Sequence, residues 1–410
     1  MRAPFADILI LADDLTGAAD CAVACAARGA ETVVSLGAEA PRAAVLAVDV
    51  NSRALPPDEA GARMARAVER LHHAGTLLYQ KIDSTLRGNW AAEIARVRRE
   101  IARRRGDPLV VVAPAFPATG RVLRGGRIFV HGRPLEATEA RRRRDPMDVP
   151  ARLAGCGLRV ALAGRGQLRA PTDALHALQA PEFEAVVCDA ESDEDLDAIA
   201  AASLRLARPV FWAGSAGLMR SLAAALIPAA AAPPARLEPG PVLTVVGSAS
   251  PVSRAQFEAL AAAPWIGALE APPETLRRGA RSAEAEFGRA LDAALAKGDA
   301  AVAIAPEPGV GPEQGPRLAA ALAGLVAPRM GKLGALVVTG GETARAVLTG
   351  SDISALRLRG EIEAGVPLGT GIGACEIPIV TKAGGFGTPE TLLRCRAALR
   401  AGMRAPVRAP

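Results

Sequence analysis

Between Tyr79 and Trp90 the chain reads YQKIDSTLRGNW, with Lys81, Asp83, Ser84, Thr85, Arg87 and Asn89 crowded together just after an apolar run. A plain turn uses Gly, Pro or Asn rather than a Lys-Asp-Arg set. Arg87 offers a planar fork and Lys81 a point charge, the donors that a carboxylate takes. Asp83 either neutralises them in a salt-bridge cluster or shares in chemistry. A second dense stretch, LILADDLTGAAD, places Asp13 and Asp14 before Thr16 and Gly17. One Asp there is a helix N-cap. Two exceed that need, and paired carboxylates can hold Mg2+, or one can act as a general base toward a hydroxyl. DVNSR adds Asn51, Ser52 and Arg53, and APAFPATGRVLRGG adds Arg121 with glycines. Polar groups of both signs at four such places suit a small polyhydroxy anion.

The second half carries a different chemistry. LTVVGSASPVSRAQ places Gly247, Ser248 and Ser250 after an apolar run. GALVVTGGETARAVL does the same with Gly340, Gly341, Glu342 and Thr343, and IPIVTKAGGFGTPETL with Lys382, Gly384, Gly385 and Gly387. Glycine turns at helix N-termini gather backbone N–H groups and the positive end of the helix dipole, which makes an anion site. Three in one region point to a nucleotide, with Lys382 placed to reach a phosphate. None is a Walker A loop, since Gly331-Lys332-Leu333 lacks both the spacing and the hydroxyl. The run GTGIGA (Gly369–Ala374) resembles a dinucleotide fingerprint but does not lead from an obvious strand into a helix.

The elements that must position these groups follow from periodicity. Short apolar runs read as strands at Ile8–Ala12, Glu31–Leu36, Ala44–Val50, Thr76–Gln80, Leu109–Ala113, Arg159–Leu162, Ala185–Cys188 and Pro209–Trp212. Helices are expected at Gly17–Ala27, Pro57–His73, Trp90–Arg104 and Asp193–Leu206, and a hairpin with loops between Arg121 and Val149. A second series follows at Val242–Gly247, Ile266–Glu270, Asp299–Ala305, Gly334–Thr339 and Ile377–Thr381. Continuous apolar strands alternating with helices imply α/β architecture with mostly parallel sheets covered on both faces. PAAAAPPARLEPGP (Pro228–Pro241) reads as a linker. The expected organisation is a first domain over 1–227, the linker over 228–241 and a second domain over 242–410, with the active site in a cleft between them. In open parallel sheets ligands bind beyond the carboxyl ends of strands.

Composition excludes several classes. The 410 residues are 50% hydrophobic and 22% charged, an ordinary globular balance. The net charge of +6 admits an anionic ligand. It does not by itself indicate nucleic acid, because acids are interspersed and aromatic platforms are scarce. Arg103–Arg105 close a helix and Arg141–Arg144 lie in a loop; both suit a solvated surface. Six scattered cysteines and four histidines fit small buried thiols in a reducing compartment, not a His-rich metal site. No apolar run approaches a bilayer span. The expectation is a cytoplasmic protein with no nucleic-acid or membrane partner, in which a homodimer is the oligomer to test.

Taken in order along the chain, ILADDLTGAAD, KIDSTLRGN, GSASPVSRAQ, VVTGGETA, GVPLGTG and KAGGFG resemble the four-carbon acid sugar kinase family, whose members are threonate, erythronate and 3-oxo-tetronate kinases. The resemblance implies a sugar-acid-binding N-terminal domain, a nucleotide-binding C-terminal domain, and transfer of phosphate from ATP, with Mg2+, to the terminal C4 hydroxyl. It implies substrate contacts at Asp13, Asp14, Lys81, Asp83 and Arg87, and ATP contacts at Ser248 or Ser250, Gly340–Thr343 and Gly384. Asn51, Ser52, Arg53 and Arg121 join the substrate set from the residue reading, and Lys382 and Gly385 the ATP set. Asp14 or Asp83 would orient or deprotonate the attacking hydroxyl, while Lys81 and Arg87 hold the substrate carboxylate or a hydroxyl. Two alternatives are an NAD(P)-dependent oxidoreductase of a small hydroxy acid and a non-catalytic sugar-acid-binding protein.

Overall fold

A computed structural model describes residues 6–37, 41–138, 147–170, 173–174, 177–178, 181–230, 239–307 and 312–404. The Arg141–Arg144 run and residues 231–238 of the expected linker lie outside the described residues. The chain divides into two compact units. One comprises Met1–Thr32 and Gly37–Ala231, the other Val33–Leu36 and Ala232–Pro410.

Strand β1 (Ile8–Ala12) belongs to the first unit, whereas most of β2 (Thr32–Ser35) belongs to the second. The first unit continues with β3 (Val45–Asp49), β4 (Leu77–Lys81) and β5 (Leu109–Ala113). A small hairpin sheet follows: β6 (Arg121–Arg124), β7 (Arg127–Val130) and β8 (Arg133–Pro134). Then come β9 (Val160–Ala163), β10 (Ala185–Cys188) and β11 (Val210–Gly214). The main sheet runs β3-β1-β4-β11-β5-β10-β9, every neighbour parallel. All five residues of β1 are buried, as a central parallel strand covered on both faces requires. The Leu15–Ala26 helix is buried along its whole length and packs on the Ala216–Leu226 helix, because LTGAADCAVACA offers mostly small side chains that permit close approach. The chain order reverses direction at β1, with β3 on one side and β4 on the other. Such a switch point is where open α/β sheets form ligand crevices.

The second unit contains β12 (Val242–Val246), β13 (Ile266–Ala271), β14 (Asp299–Ile304), β15 (Ala335–Thr339), β16 (Ile353–Glu361), β17 (Pro367–Gly373) and β18 (Pro378–Lys382). Its parallel part runs β13-β14-β12-β15-β18. Antiparallel β17, β16 and β2 extend it. Val246, Phe257, Val337, Val380 and Leu392 share one apolar cluster beneath the parallel strands.

Periodicity does not reveal the β16–β17 hairpin, because alternate glycines weaken a strand signal. Here they are needed for close backbone approach. A Cβ at Gly371 would lie 2.8 Å from the Cys375 carbonyl oxygen, and one at Gly369 would lie 3.0 Å from that of Arg357. The GTGIGA run is therefore part of a strand, not a strand-to-helix turn. Among the described residues no helix is long and apolar enough to cross a membrane.

Candidate active site

Three neighbouring strands of the first unit, β3, β1 and β4, deliver the charged groups at their carboxyl ends. Asp14 has an extended backbone and caps the Leu15–Ala26 helix. Its Oδ1 accepts from the Gly17 N–H at 2.8 Å and its Oδ2 from Thr16 Oγ1 at 3.0 Å. After β3 the chain turns at Asn51, whose φ of 51° is left-handed, a conformation Asn tolerates well. That turn lays Ser52 and Arg53 against the end of β1, where both N–H groups bond the Asp13 carbonyl, at 3.1 and 3.3 Å. The Arg53 guanidinium then grips Asp13 with a fork (Nε 2.7 Å, Nη2 2.8 Å) and reaches Asp14 Oδ2 with Nη1 at 2.5 Å. One arginine thus bridges the adjacent carboxylates. Gly88 closes on the same group: with φ of 79° and a Cβ position only 2.9 Å from Asp13 Oδ2, it has no room for a side chain.

On the other side of β1, β4 ends in Lys81, buried, with Nζ donating to the Ile82 carbonyl at 3.1 Å. Asp83 is held as an anion. Its Oδ2 accepts from the Thr85 N–H (3.1 Å), the Thr85 hydroxyl, the Arg87 N–H (3.3 Å) and Arg87 Nε (2.9 Å), and its Oδ1 from Arg87 Nη2 (2.7 Å). Arg87 itself keeps 56% of its side chain exposed. Arg121, on β6, donates to Thr119 Oγ1 at 3.1 Å. Burial pushes its pKa down, while the charges of Asp83 and Asp20 pull it back up.

Burial opposes ionisation of all three aspartates, and their cationic neighbours decide the outcome. For Asp14 burial is outweighed by Arg53, Lys81 and the Gly17 N–H, and its pKa falls. For Asp83 burial is outweighed by Arg87, Arg53 and Lys81, and its pKa lies well below the carboxylate range. Asp13 is raised, by burial first and then by the charges of Asp14 and Asp83, against the pull of Arg53. With its side chain 17% exposed against 4% for Asp13, Asp14 is the more open member of the pair.

The sequence reading missed Glu93. It lies on the inward stripe Trp90, Glu93, Ile94, Val97 of the Trp90–Arg105 helix, and a lone acid on an apolar stripe is the signal that could have found it. It accepts from Ser52 Oγ at 2.6 Å and from Gln80 Nε2 at 3.3 Å. Ser52, completely buried, thus spends its hydroxyl inside the unit, and Asn51 contributes its turn. Burial, and then the charge of Asp13, push Glu93 from 4.5 up to about 7. The folded chain therefore holds this proton more tightly than the unfolded one. Its contribution is fully present below about 4.5 and is lost as pH rises to about 7. Glu93→Gln should remove that slope. Melting temperatures of the two proteins between pH 5 and 8 should diverge, and parallel curves would reject the assignment.

In the second unit the three glycine loops follow the adjacent strands β12, β15 and β18, and they touch. Gly247 lies against Thr343, Gly340 against Ser248, and Gly384 against Ser248 and Ser250. Ser248 stands at the centre, its Oγ accepting from the Ser250 N–H at 3.2 Å. Ser250 precedes the Pro251–Ala261 helix without spending its side chain on the cap. Gly341, Glu342 and the buried Thr343 open the Gly341–Gly350 helix. The Glu342 carboxylate lies beside Gly315, at the start of the Gly315–Val326 helix. Gly385 faces open space, and Lys382 is wholly buried. A Cβ at Gly247 would fall 1.9 Å from Thr343 Oγ1 and 2.7 Å from its Cβ, so Gly247→Ala must force the loops apart. Overpacking of this kind costs ~1–3 kcal/mol. We expect the KM for nucleotide to rise about tenfold, the lower-middle of that range. Gly331→Ala, which meets nothing within 4 Å, should leave it unchanged. Equal constants for the two variants would show that the packing of Gly247 on Thr343 is irrelevant to the loops.

Charged side chains thus gather at the strand ends of one α/β unit and glycine-rich helix N-termini at the strand ends of another, an arrangement compatible with a small-molecule kinase. A family model described as Sugar-binding N-terminal domain matches residues 8–222, and one described as Nucleotide-binding C-terminal domain matches residues 243–392. The chain belongs to the four-carbon acid sugar kinase family and is a kinase with a nucleotide-binding domain. It is 44% identical to the D-threonate kinase of Cupriavidus necator, over 94% of this chain and 96% of that one. It is 37% identical to the D-threonate kinase of Bordetella bronchiseptica, over 95% and 97%. A crystal structure of a Salmonella typhimurium LT2 protein, 23% identical, covers 96% of this chain and 99% of its own with a TM-score of 0.80, and shows the same fold.

Proposed function

We propose that the chain transfers the γ-phosphoryl group of MgATP to the C4 hydroxyl of D-threonate. The observation that carries this reading is the cluster at the ends of β3, β1 and β4. It joins an ionised, partly open carboxylate, Asp14, to exposed Arg87 and to Lys81. The near-full-length likeness to two D-threonate kinases supports the choice among tetronates.

Arg87, held by Asp83, takes the substrate carboxylate through its free face, and Lys81 places a positive charge beside the sugar hydroxyls. Asp14 accepts the proton of the C4 hydroxyl as its oxygen attacks the γ-phosphorus and the bond to the ADP oxygen breaks. Asp83, saturated with donors, braces Arg87 and is not the base. Arg53 keeps both carboxylates of the Asp13-Asp14 pair in place. The loops at Gly247–Ser250, Gly340–Thr343 and Gly384–Gly385 hold the nucleotide, whose Mg2+ arrives with it. Such transfer depends chiefly on positioning and charge neutralisation.

The test is an ATP-coupled screen over D- and L-threonate, D- and L-erythronate and their 3-oxo forms, with phosphorus NMR locating the new ester. D-threonate should have the highest kcat/KM and yield the 4-phosphate. A preference for another acid, or an ester at C2 or C3, would overturn the corresponding part of the reading.

A further inference from the structure

Lys382 is the last residue of β18, and the turn Ala383-Gly384-Gly385-Phe386-Gly387 follows it. The ammonium does not face outward. It is completely buried and donates to the carbonyls of Ala383 at 2.8 Å, Phe386 at 3.0 Å and Gly384 at 3.4 Å, all within its own turn. The Pro251–Ala261 helix adds two more buried donors. Ser253 Oγ donates to the Gly384 carbonyl at 2.8 Å. Gln256 Nε2 donates to those of Phe386 and Thr388, both at 2.9 Å. The carbonyls of Ala383, Gly384, Phe386 and Thr388 are therefore all drawn inward.

The described residues contain no cis peptide bond, and in a trans peptide the N–H points opposite to the C=O. Drawing the first three carbonyls in turns the N–H groups of Gly384, Gly385 and Gly387 out. After Thr388 the next residue is Pro389, which has no N–H to turn. The Phe386 N–H between them is spent within the turn, on the Ala383 carbonyl at 3.2 Å. Neighbouring outward N–H groups form an anion-binding concavity.

We propose that Lys382, Ser253 and Gln256 are positioning residues which aim the Gly384, Gly385 and Gly387 amides at the phosphates of the nucleotide, so that the lysine acts through the turn and not on the phosphate itself. The proposal rests on the reading of these loops as the ATP site. Burial lowers Lys382 to about 8, against the pull of Cys395 and then Glu363. The partners of the buried ammonium are the three turn carbonyls.

Nucleotide affinity measured by calorimetry on the full chain tests this, with ATP and adenosine as ligands and Ser253→Ala, Gln256→Ala, Lys382→Met and the Lys382→Met/Gln256→Ala double variant as proteins. Loss of one such hydrogen bond in Ser253→Ala should weaken ATP about five- to tenfold, and loss of two in Gln256→Ala at least as much. Adenosine affinity and the KM for the sugar acid should stay unchanged, a split that general destabilisation would not produce. Lys382→Met should weaken ATP further, and the double variant should lose less than the product of the single effects, because both residues act on the Phe386 carbonyl. Wild-type ATP affinity in both Ser253→Ala and Gln256→Ala would overturn the proposal while leaving the kinase reading intact. So would fully multiplicative loss in the double variant, the mark of a lysine that touches phosphate directly. Failure of the wild-type chain to bind ATP would instead sink the kinase reading, and the proposal with it.

Discussion

Asp14→Asn is expected to lower kcat by about 10²- to 10⁴-fold, the range for loss of a general base, with the KM for ATP unchanged and the melting temperature close to wild type. The structure explains why the fold should survive. Asn is as good an N-cap as Asp, and its side-chain oxygen can still accept from the Gly17 N–H. What it loses is the negative charge that Arg53 and Lys81 stabilise and that would receive the substrate proton. Asp83→Asn is the informative companion. Asp83 accepts its bonds largely from Arg87, so its loss should raise the KM for the sugar acid more than it lowers kcat. A kcat for Asp14→Asn within about threefold of wild type, far outside the general-base range, would remove Asp14 from the chemistry.

Arg53→Ala should damage the fold itself. The guanidinium bridges Asp13 and Asp14 with its side chain 24% exposed and theirs 4% and 17%. Removing it leaves two adjacent buried carboxylates facing each other without the cation that bridges them, although the charge of Lys81 still bears on Asp14. Breaking a buried pair in this way costs ~3–5 kcal/mol. Partial exposure of Arg53 places the expectation near the lower end, about 3 kcal/mol. The loss has a definite pH sign. The cost arises from ionised Asp13 and Asp14, so it is full at neutral pH and shrinks as pH falls through the carboxylate range and the pair takes up protons. Arg53→Lys keeps the charge without the fork and should recover part of it. Urea denaturation of the three proteins at pH 7.5 and pH 4.5 checks this; an Arg53→Ala deficit equal at both values would show that packing, not charge, is at stake.

Much of this molecule is legible along the chain. Strands at Ile8–Ala12, Leu109–Ala113 and Ala185–Cys188 carry the bounds that apolar runs predict, because a buried parallel strand needs every side chain apolar. The strand-end positions of Asp13, Lys81, Ser248 and Gly340 are likewise local facts: a polar or glycine-rich run ends an apolar one. The β16–β17 hairpin escaped because its glycines serve contacts with Arg357 and Cys375, which periodicity does not encode. The placement of Val33–Leu36 with the second unit escaped for a similar reason: it is decided by pairing with β16, more than 300 positions away.

What the amino-acid sequence determined by itself is the inventory: which side chains stand at the ends of which strands, and hence that acids and bases cluster in the first half and glycine loops in the second. Only the tertiary structure decided what each of those groups does. Arg53, read as one more substrate donor, is the clasp of the Asp13-Asp14 pair. Asp83 is saturated by Arg87 and Thr85, Ser52 is turned inward to Glu93, and Lys382 is folded back onto its own turn. The physical reason is that a residue's type states how many hydrogen bonds and charges it can offer. Where those donors and acceptors point, and whether water can still reach them, is settled by partners far away in the chain.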